Sequence, residues 1–440
     1  MAVLTINGKK EKIPPFPHHK ADMYRIYKFI RPKSFLSHLT MARFITLREV
    51  VSGIKNKCTI PRVMLIDPTS ACNLKCKGCW AADYSRTNEL SYDTLDDIIS
   101  QAKKLGLRDI LMSGGEPLLR KDDILKLCRK HRDTSFACFT NATLIDEAFA
   151  DEIAAVGNLN MLISIEGTRE ETDFRRGDGV YDKALHAMDI LRERDIGFAF
   201  SACYHAKNYE TISSDEFLGD MRKRGAWFAW MFNYVPMGKD ADMSLVCSPE
   251  QRAHVMKKIN DYSDKHGFLV LDFWNIGHKA YGCVGAGNGF LHVNANGDVE
   301  PCAFCHYSDS NIHEKTLLEA LQSPFFTAFR EAQPFSDTPH RSCPMVDVPD
   351  GLTKVVSETG AHSTHYAMPE SAEELTAKTR ANAEKWKSVA EELSGSLKKK
   401  QLEVFRAFVR FIRWRRRITD GRRLGKEKSR KELPGQSTIS

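Results

Sequence analysis

From residue 62 onward the chain alternates short apolar, β-rich runs with amphipathic helical stretches, and few architectures accept that pattern. The strand-like runs cover 63–67, 109–113, 136–140, 161–165, 198–203 and 228–235. Helix-like stretches cover 91–105, 121–131, 144–155, 180–194, 208–224 and 248–266. Ser91, followed by Asp93, Asp96 and Asp97, supplies a helix start, since acidic groups favour the exposed N–H ends of the first turn. Six β-α units in a row predict an α/β fold with a parallel sheet, either open and doubly wound or partly closed into a barrel. A chain of 440 residues holds such a unit with attachments and buries a sizeable core.

After residue 267 the alternation stops and glycine becomes frequent. Residues 289–301 read as a β-hairpin, because Asn296-Gly297 supplies the positive φ angles of a tight turn. A small, cysteine-bearing second domain follows from this. Residues 368–394 read as a polar helix, and Arg406, Arg410, Arg413 and Arg417 then recur at helical spacing beside Phe405, Phe408, Phe411 and Ile412. Such a basic amphipathic helix lies on an anionic membrane surface or packs on the core with a solvated basic face. Residues 24–54 have the same character. The expected division is a basic helical segment over 1–60, the β/α unit over 61–266, the cysteine-bearing domain over 267–350, a helical extension over 351–424 and a disordered tail over 425–440.

Charge follows the same division. Residues 1–60 carry net +9 and residues 398–431 net +12; with one further Glu in the last nine residues, the total of +7 leaves 61–397 at −13. An acidic middle between basic ends argues against a nucleic-acid-binding core and for terminal segments with their own partner. No run of 18 uncharged apolar residues occurs and no secretory signal opens the chain, so the expected location is cytoplasmic, with peripheral attachment to a membrane through the basic ends.

Twelve cysteines in such a chain point to metal ligands or catalytic thiols rather than disulfides. Cys58, Cys128, Cys138, Cys203 and Cys247 are scattered through apolar surroundings and read as buried small hydrophobes. The other seven form two groups. Cys72, Cys76 and Cys79 stand at C-x3-C-x2-C spacing in the loop after the first strand. Three thiolates so close can converge on an iron–sulfur cube while leaving one iron open, as catalytic sites do. This spacing and placement resemble the radical S-adenosylmethionine (SAM) superfamily, in which SAM chelates the unique iron.

The resemblance extends along the strand ends. Ser113-Gly114-Gly115-Glu116-Pro117 is similar to the family's glycine-glycine-glutamate-proline segment, which implies that Gly114, Gly115, Glu116 and Pro117 bind the SAM ammonium group. Glycines admit close backbone approach, and a carboxylate suits an ammonium. Ser164 and Glu166 end the fourth strand where the family presents a polar residue to the SAM ribose. Asn141, in Thr140-Asn141-Ala142, ends the third, with Ala142 in place of the usual glycine. Tyr234 to Gly238 end the sixth, near the expected adenine. Many members carry an aromatic residue before the third cysteine; here Gly78 stands there, and Trp80 is expected to shield the cluster instead. Asp173, Arg175 and Arg176, just after the fourth strand, read first as a solvated charge run, the alternative being that they reach a substrate carboxylate or phosphate.

Cys283, Cys302, Cys305 and Cys343 resemble a shortened form of the superfamily's C-terminal auxiliary-cluster extensions, called SPASM or twitch domains. Four thiolates suffice for one fully ligated 4Fe-4S cluster, and a zinc site is the alternative. The resemblance as a whole implies a partial (β/α)6 TIM-like barrel with a small C-terminal Cys-rich domain and basic helical termini. It implies a radical SAM enzyme that passes one electron from a reduced 4Fe-4S cluster into SAM and abstracts hydrogen through the 5′-deoxyadenosyl radical. A one-electron reductant such as flavodoxin or ferredoxin is the implied partner, and an amphiphilic or membrane-proximal molecule the expected substrate. A peptide-modifying maturase is the first alternative. A non-catalytic iron–sulfur electron carrier or a membrane-surface binding protein is the second. No catalytic acid or base is identifiable from the sequence.

Overall fold

The computed structural model describes residues 2–6, 9–13, 51–81, 88–238, 241–280, 282–397 and 399–419. At the N-terminus β1 (Ala2–Ile6) and β2 (Lys9–Ile13) pair antiparallel, in place of the helix expected there. The sequence between the two strands is Asn7-Gly8, a pair that tight hairpin turns favour. Residues 51–56 are helical; the remainder of the basic stretch 24–54, and the tail 425–440, lie outside the described residues.

The six expected strands form as β3 (Val63–Ile66), β4 (Asp109–Met112), β5 (Ser135–Thr140), β6 (Leu159–Ser164), β7 (Phe198–Tyr204) and β8 (Ala226–Asn233). Helices α1 (Tyr92–Leu105), α2 (Lys121–Lys130), α3 (Glu147–Val156), α4 (Arg169–Arg176), α5 (Val180–Glu193), α6 (Tyr209–Ile212), α7 (Asp215–Lys223) and α8 (Pro249–His266) connect them. Ser91 caps α1, accepting the Thr94 N–H, as its sequence predicts. All neighbouring pairs from β3 to β8 are parallel.

Three more strands extend this sheet. β9 (Leu269–Asp272) joins β8 in parallel; β10 (Phe290–Val293) joins β3 in parallel and β11 (Val299–Glu300) in the expected hairpin. The order is β11-β10-β3-β4-β5-β6-β7-β8-β9, and its two ends do not pair, so the sheet is a partial barrel. The cysteine-bearing segment thus continues the barrel through β10, because the apolar run from Phe290 to Val293 matches the exposed edge of β3.

Side chains alternate across each strand. Met64, Ile66, Ile110, Met112, Phe136, Cys138 and Met161 are fully buried on one face, while Leu65, Leu111, Phe139, Trp230 and Phe232 line the barrel interior. Beyond β11 lie α9 (Gly277–Ala280, before β10), β12 (Tyr307–Ser308), α10 (Leu317–Leu321), α11 (Pro324–Ala332), α12 (Asp350–Thr359), β13 (His362–Ser363), α13 (Ala372–Gly395) and α14 (Lys399–Thr419). The helix expected to be polar, α13, buries Leu375, Ala383 and Trp386 against the core. In α14 Phe405, Val409, Arg415 and Arg416 turn inward, and Arg416 donates to the carbonyls of Arg330 and Gln333. Among the described residues no helix is long and apolar enough to cross a membrane.

Candidate active site

The cysteine loop leaves β3 and is held at its start by the turn after β4. Gly115 N–H donates to the Thr69 carbonyl at 3.0 Å and Glu116 N–H to that of Ala71 at 2.8 Å. A side chain on Gly115 would collide with the Ser70 and Ala71 carbonyls, and one on Gly114, at φ 104°, with Thr69, so this contact requires both glycines. Further along, Lys77 N–H donates to the Arg175 carbonyl at 2.8 Å and Asn141 Nδ2 to Asn73 Oδ1 at 2.8 Å. The loop is therefore fastened to the ends of β4 and β5 and to α4.

Cys72, Cys76 and Cys79 face one cavity together with Ser113, Gly114, Gly115, Glu116, Asn141 and Ser164. It encloses ≈ 1170 Å³ of empty space, a figure that includes its open mouth. Burial pushes the Cys72 thiol up to about 11; burial and Cys76 raise that of Cys79, against the pull of Arg175 and Arg176. Glu116 is buried, its pKa raised by burial, with Oε1 accepting from Thr140 Oγ1 (2.7 Å) and Leu118 N–H (3.0 Å) and Oε2 from Asn141 N–H (2.8 Å). It therefore ties β5 to the glycine turn. Pro117 begins the short turn behind it and does not line the cavity.

Of the two residues expected at the ribose, Ser164 faces the cavity, 3.2 Å from the Ser201 hydroxyl, and Glu166 does not. The Glu166 carboxylate lies 2.8 Å from Arg175 Nη1 and 2.8 Å from Arg176 Nε and accepts the Cys203 N–H at 2.8 Å, so it is fully engaged. Arg175 and Arg176 are consequently not a solvated charge run. Thr168 and Glu171 form a capping box that starts α4 immediately after β6, and the helix carries both arginines inward beside Cys76 and Cys79. Asp173 instead accepts the N–H groups of Gly179 and Tyr181 and fixes the next turn. That capping box, so close behind a strand, is the signal that marks α4.

Other residues enter the site from distant segments. The Tyr234 ring fills the space over Gly78, where any side chain would strike it, so an aromatic group covers this point from the end of β8. Cys203, expected to be a simple buried residue, lines the cavity, and burial pushes its thiol up to about 11. Asn233 is 5% exposed and faces the cavity, and its Oδ1 has no hydrogen-bond partner among the described residues. Leu65, Leu111, Phe139, Trp230, Phe232, Phe273, Phe290 and Phe304 make the remaining wall apolar and largely aromatic. Trp80, expected to act as a shield, packs between the loop and the cysteine-bearing segment: its ring stacks on His306 at 5.9 Å and meets Phe304 at 5.7 Å.

A second, smaller cavity is lined by Cys283, Cys302, Cys305 and Cys343, and Phe273 stands in the wall of both. Burial pushes the thiols of Cys283 and Cys302 up to about 11 and about 12. The backbone N–H groups of Leu74, Gly285 and Met345 point at the sulfurs of Cys72, Cys283 and Cys343, at 3.4, 3.4 and 3.5 Å. Hydrogen bonds of this kind stabilise cluster thiolates; among the described residues, no three Cys, His, Asp or Glu side chains stand close enough together as placed to hold a metal ion.

Comparison with known proteins agrees with this geometry. The model of the radical SAM superfamily matches residues 66–217, and that of the SPASM iron–sulfur cluster-binding domain matches residues 283–345, a span holding all four cysteines of the second group. An AdoMet-dependent heme synthase of Methanosarcina barkeri is 26% identical, with 60% of this chain and 82% of the relative covered. A mycofactocin maturase of Mycolicibacterium smegmatis is 28% identical over 61% of this chain and 69% of the relative. Among solved structures, Streptococcus suis SuiB bound to S-adenosylmethionine superposes with a TM-score of 0.53 at 19% identity, covering 68% of this chain and 75% of that one. At that identity the likeness shows the shared fold.

Proposed function

We propose that this chain, a radical SAM superfamily enzyme with a SPASM iron–sulfur domain, cleaves SAM at Cys72, Cys76 and Cys79 and directs the chemistry at an apolar part of its substrate. Bound there, the cluster and SAM supply one electron and a 5′-deoxyadenosyl radical, fed by an external one-electron donor such as flavodoxin or ferredoxin. The protein's part is binding, orientation and exclusion of water. Arg175 and Arg176 carry two positive charges against the single carboxylate of Glu166, leaving one for an anion such as the SAM carboxylate. Ser164 and Ser201 offer hydroxyls suited to a ribose. The unpaired Asn233 oxygen takes a donor from a bound molecule. Facing the thiols, a wall that is apolar and aromatic apart from the Trp230 indole N–H favours a hydrocarbon or ring.

The observation that carries this reading is the union of three thiols, a net-positive arginine pair and an apolar wall in one cavity. Incubation with reductant, SAM and substrates deuterated on carbon tests it. Deuterium entering 5′-deoxyadenosine from acyl chains of an amphiphile supports the proposal, whereas transfer only from peptides establishes the maturase reading that the mycofactocin relative favours. The outer face of α14 fits an amphiphile delivered by a membrane: Arg406, Arg410 and Arg413 are exposed, with Trp414 at 52% and Ile418 at 39%. Co-sedimentation with anionic but not zwitterionic vesicles, abolished by Arg410→Glu with Arg413→Glu, is the expected result. A chain that stays in the supernatant contradicts the membrane reading.

A further inference from the structure

Between the two cysteine groups lies a charged cluster that touches neither cavity. Asp67 follows β3 and precedes the cysteine loop; His292 is on β10; Glu300 ends β11, two residues before Cys302. All three are at most 1% exposed. His292 Nε2 lies 2.9 Å from Asp67 Oδ2, and its Nδ1 lies 2.6 Å from Glu300 Oε2. Each carboxylate is anchored again at its far side. Asp67 Oδ1 accepts the Ser113 hydroxyl at 2.8 Å, and its side chain is in the path of any group on Gly114. Glu300 Oε1 accepts from Asn294 Nδ2 at 2.9 Å and from Thr364 Oγ1 at 2.5 Å. Backbone bonds run alongside, Asp67 N–H to the Val293 carbonyl and Thr364 N–H to that of His306, the residue after Cys305.

A buried charge without its partner is costly, so such a cluster persists only as a whole and in one geometry. The imidazole is hydrogen-bonded to Glu300 at Nδ1 and lies at ion-pair distance from Asp67 at Nε2, without hydrogen-bond geometry there; burial lowers its pKa, but Asp67 and Glu300 outweigh this and raise it to about 10. Ser113 and Gly114 belong to the turn that seats the cysteine loop, and Glu300 to the strand that presents Cys302. The cluster is therefore a stiff link from the SAM side of the barrel to the auxiliary side.

We infer that Asp67, His292 and Glu300 are positioning residues that couple the two cluster sites, so that an intact auxiliary site tightens SAM binding at Cys72, Cys76 and Cys79. This rests on the radical SAM reading given above. By linkage the coupling is reciprocal: SAM at the first site favours the ordered second site.

A double-mutant cycle on the full-length, anaerobically reconstituted chain tests it. The variants are Cys302→Ser, His292→Gln and the pair. Two readouts need no turnover: the SAM dissociation constant by equilibrium dialysis, and the change in the electron paramagnetic resonance spectrum of the reduced chain when SAM is added. Cys302→Ser is expected to weaken SAM binding by roughly 5- to 150-fold, the ordinary range of coupling between sites. His292→Gln is expected to weaken it comparably, and the pair no further than the weaker single variant. Multiplying effects, or a His292→Gln chain that binds SAM as the wild type does, would overturn the link. If His292→Gln does not fold, Glu300→Gln completes the cycle, since it keeps the side-chain shape while removing one charge. A wild-type chain whose spectrum SAM leaves unchanged would overturn the radical SAM reading itself, and the link with it.

Discussion

Replacing Glu166 with alanine is expected to cost about 3–5 kcal/mol of stability, the usual result of removing one partner from a buried ion pair. Glu166 is wholly buried and faces Arg175 and Arg176, whose side chains are 7% and 11% exposed. Without it two guanidinium groups remain beside the cavity with no ion-paired carboxylate among the described residues, and the Cys203 N–H loses its acceptor. Glu166→Gln keeps shape and part of the hydrogen bonding and should lose less. Denaturant unfolding of the two variants measures the difference. The acid limb carries a second signature. Burial alone would raise the Glu166 pKa, but Arg175 and Arg176 hold it below its ordinary value. A depressed carboxylate contributes stability that is present above its unfolded pKa and lost as pH falls through its folded one. Wild-type stability should accordingly decline more steeply than that of Glu166→Gln as pH drops below about 4.3. Parallel pH profiles would show that the arginines do not hold this carboxylate ionised.

Asp347→Ala is expected to act on the second site with comparable force. Asp347 Oδ1 lies 2.7 Å from Arg252 Nη1, and Oδ2 accepts the N–H groups of Ser342 at 3.1 Å and Cys343 at 3.0 Å. The Arg252 guanidinium is itself clamped, by Asn275 at 2.9 Å and over the ring of Trp386 at 4.0 Å. Removing the carboxylate leaves a buried cation unpaired, again about 3–5 kcal/mol, and unfastens the turn that presents Cys343. Iron per chain after reconstitution should fall by about four atoms, the content of one cubane cluster. Iron content equal to the wild type would mean that Cys343 is held without Asp347 or is not a ligand.

Local pattern and long-range pairing divide what the sequence reveals. The cysteine trio, the Gly114-Gly115-Glu116 turn and the six strand ends that meet at the cavity are local features, and each lies where its spacing predicts. The burial of Glu166 against the two arginines leaves no local trace, for a physical reason. Read alone, Arg169 to Arg176 is a polar helix, and only the fold of α4 back onto β6 brings Arg175 and Arg176 against a carboxylate and two thiols. The pairing of β10 with β3 joins segments more than 200 residues apart and leaves no local trace beyond a short apolar run. The same pairing creates the contact between Asp67 and His292. Tyr234 over Gly78 is a compensation across the barrel: the glycine is visible as a departure, but the residue that fills its space is not. At the N-terminus the Asn-Gly pair between β1 and β2 is a local signal that charge and aromatic content obscure.

The most direct test of the account is 5′-deoxyadenosine formation by the iron-loaded chain on addition of SAM and a strong one-electron reductant, with Cys76→Ala alongside. The account predicts 5′-deoxyadenosine and methionine from the wild type and none from Cys76→Ala. An iron-loaded wild type that leaves SAM intact, or a Cys76→Ala chain that cleaves it at the same rate, would contradict the assignment of this cavity.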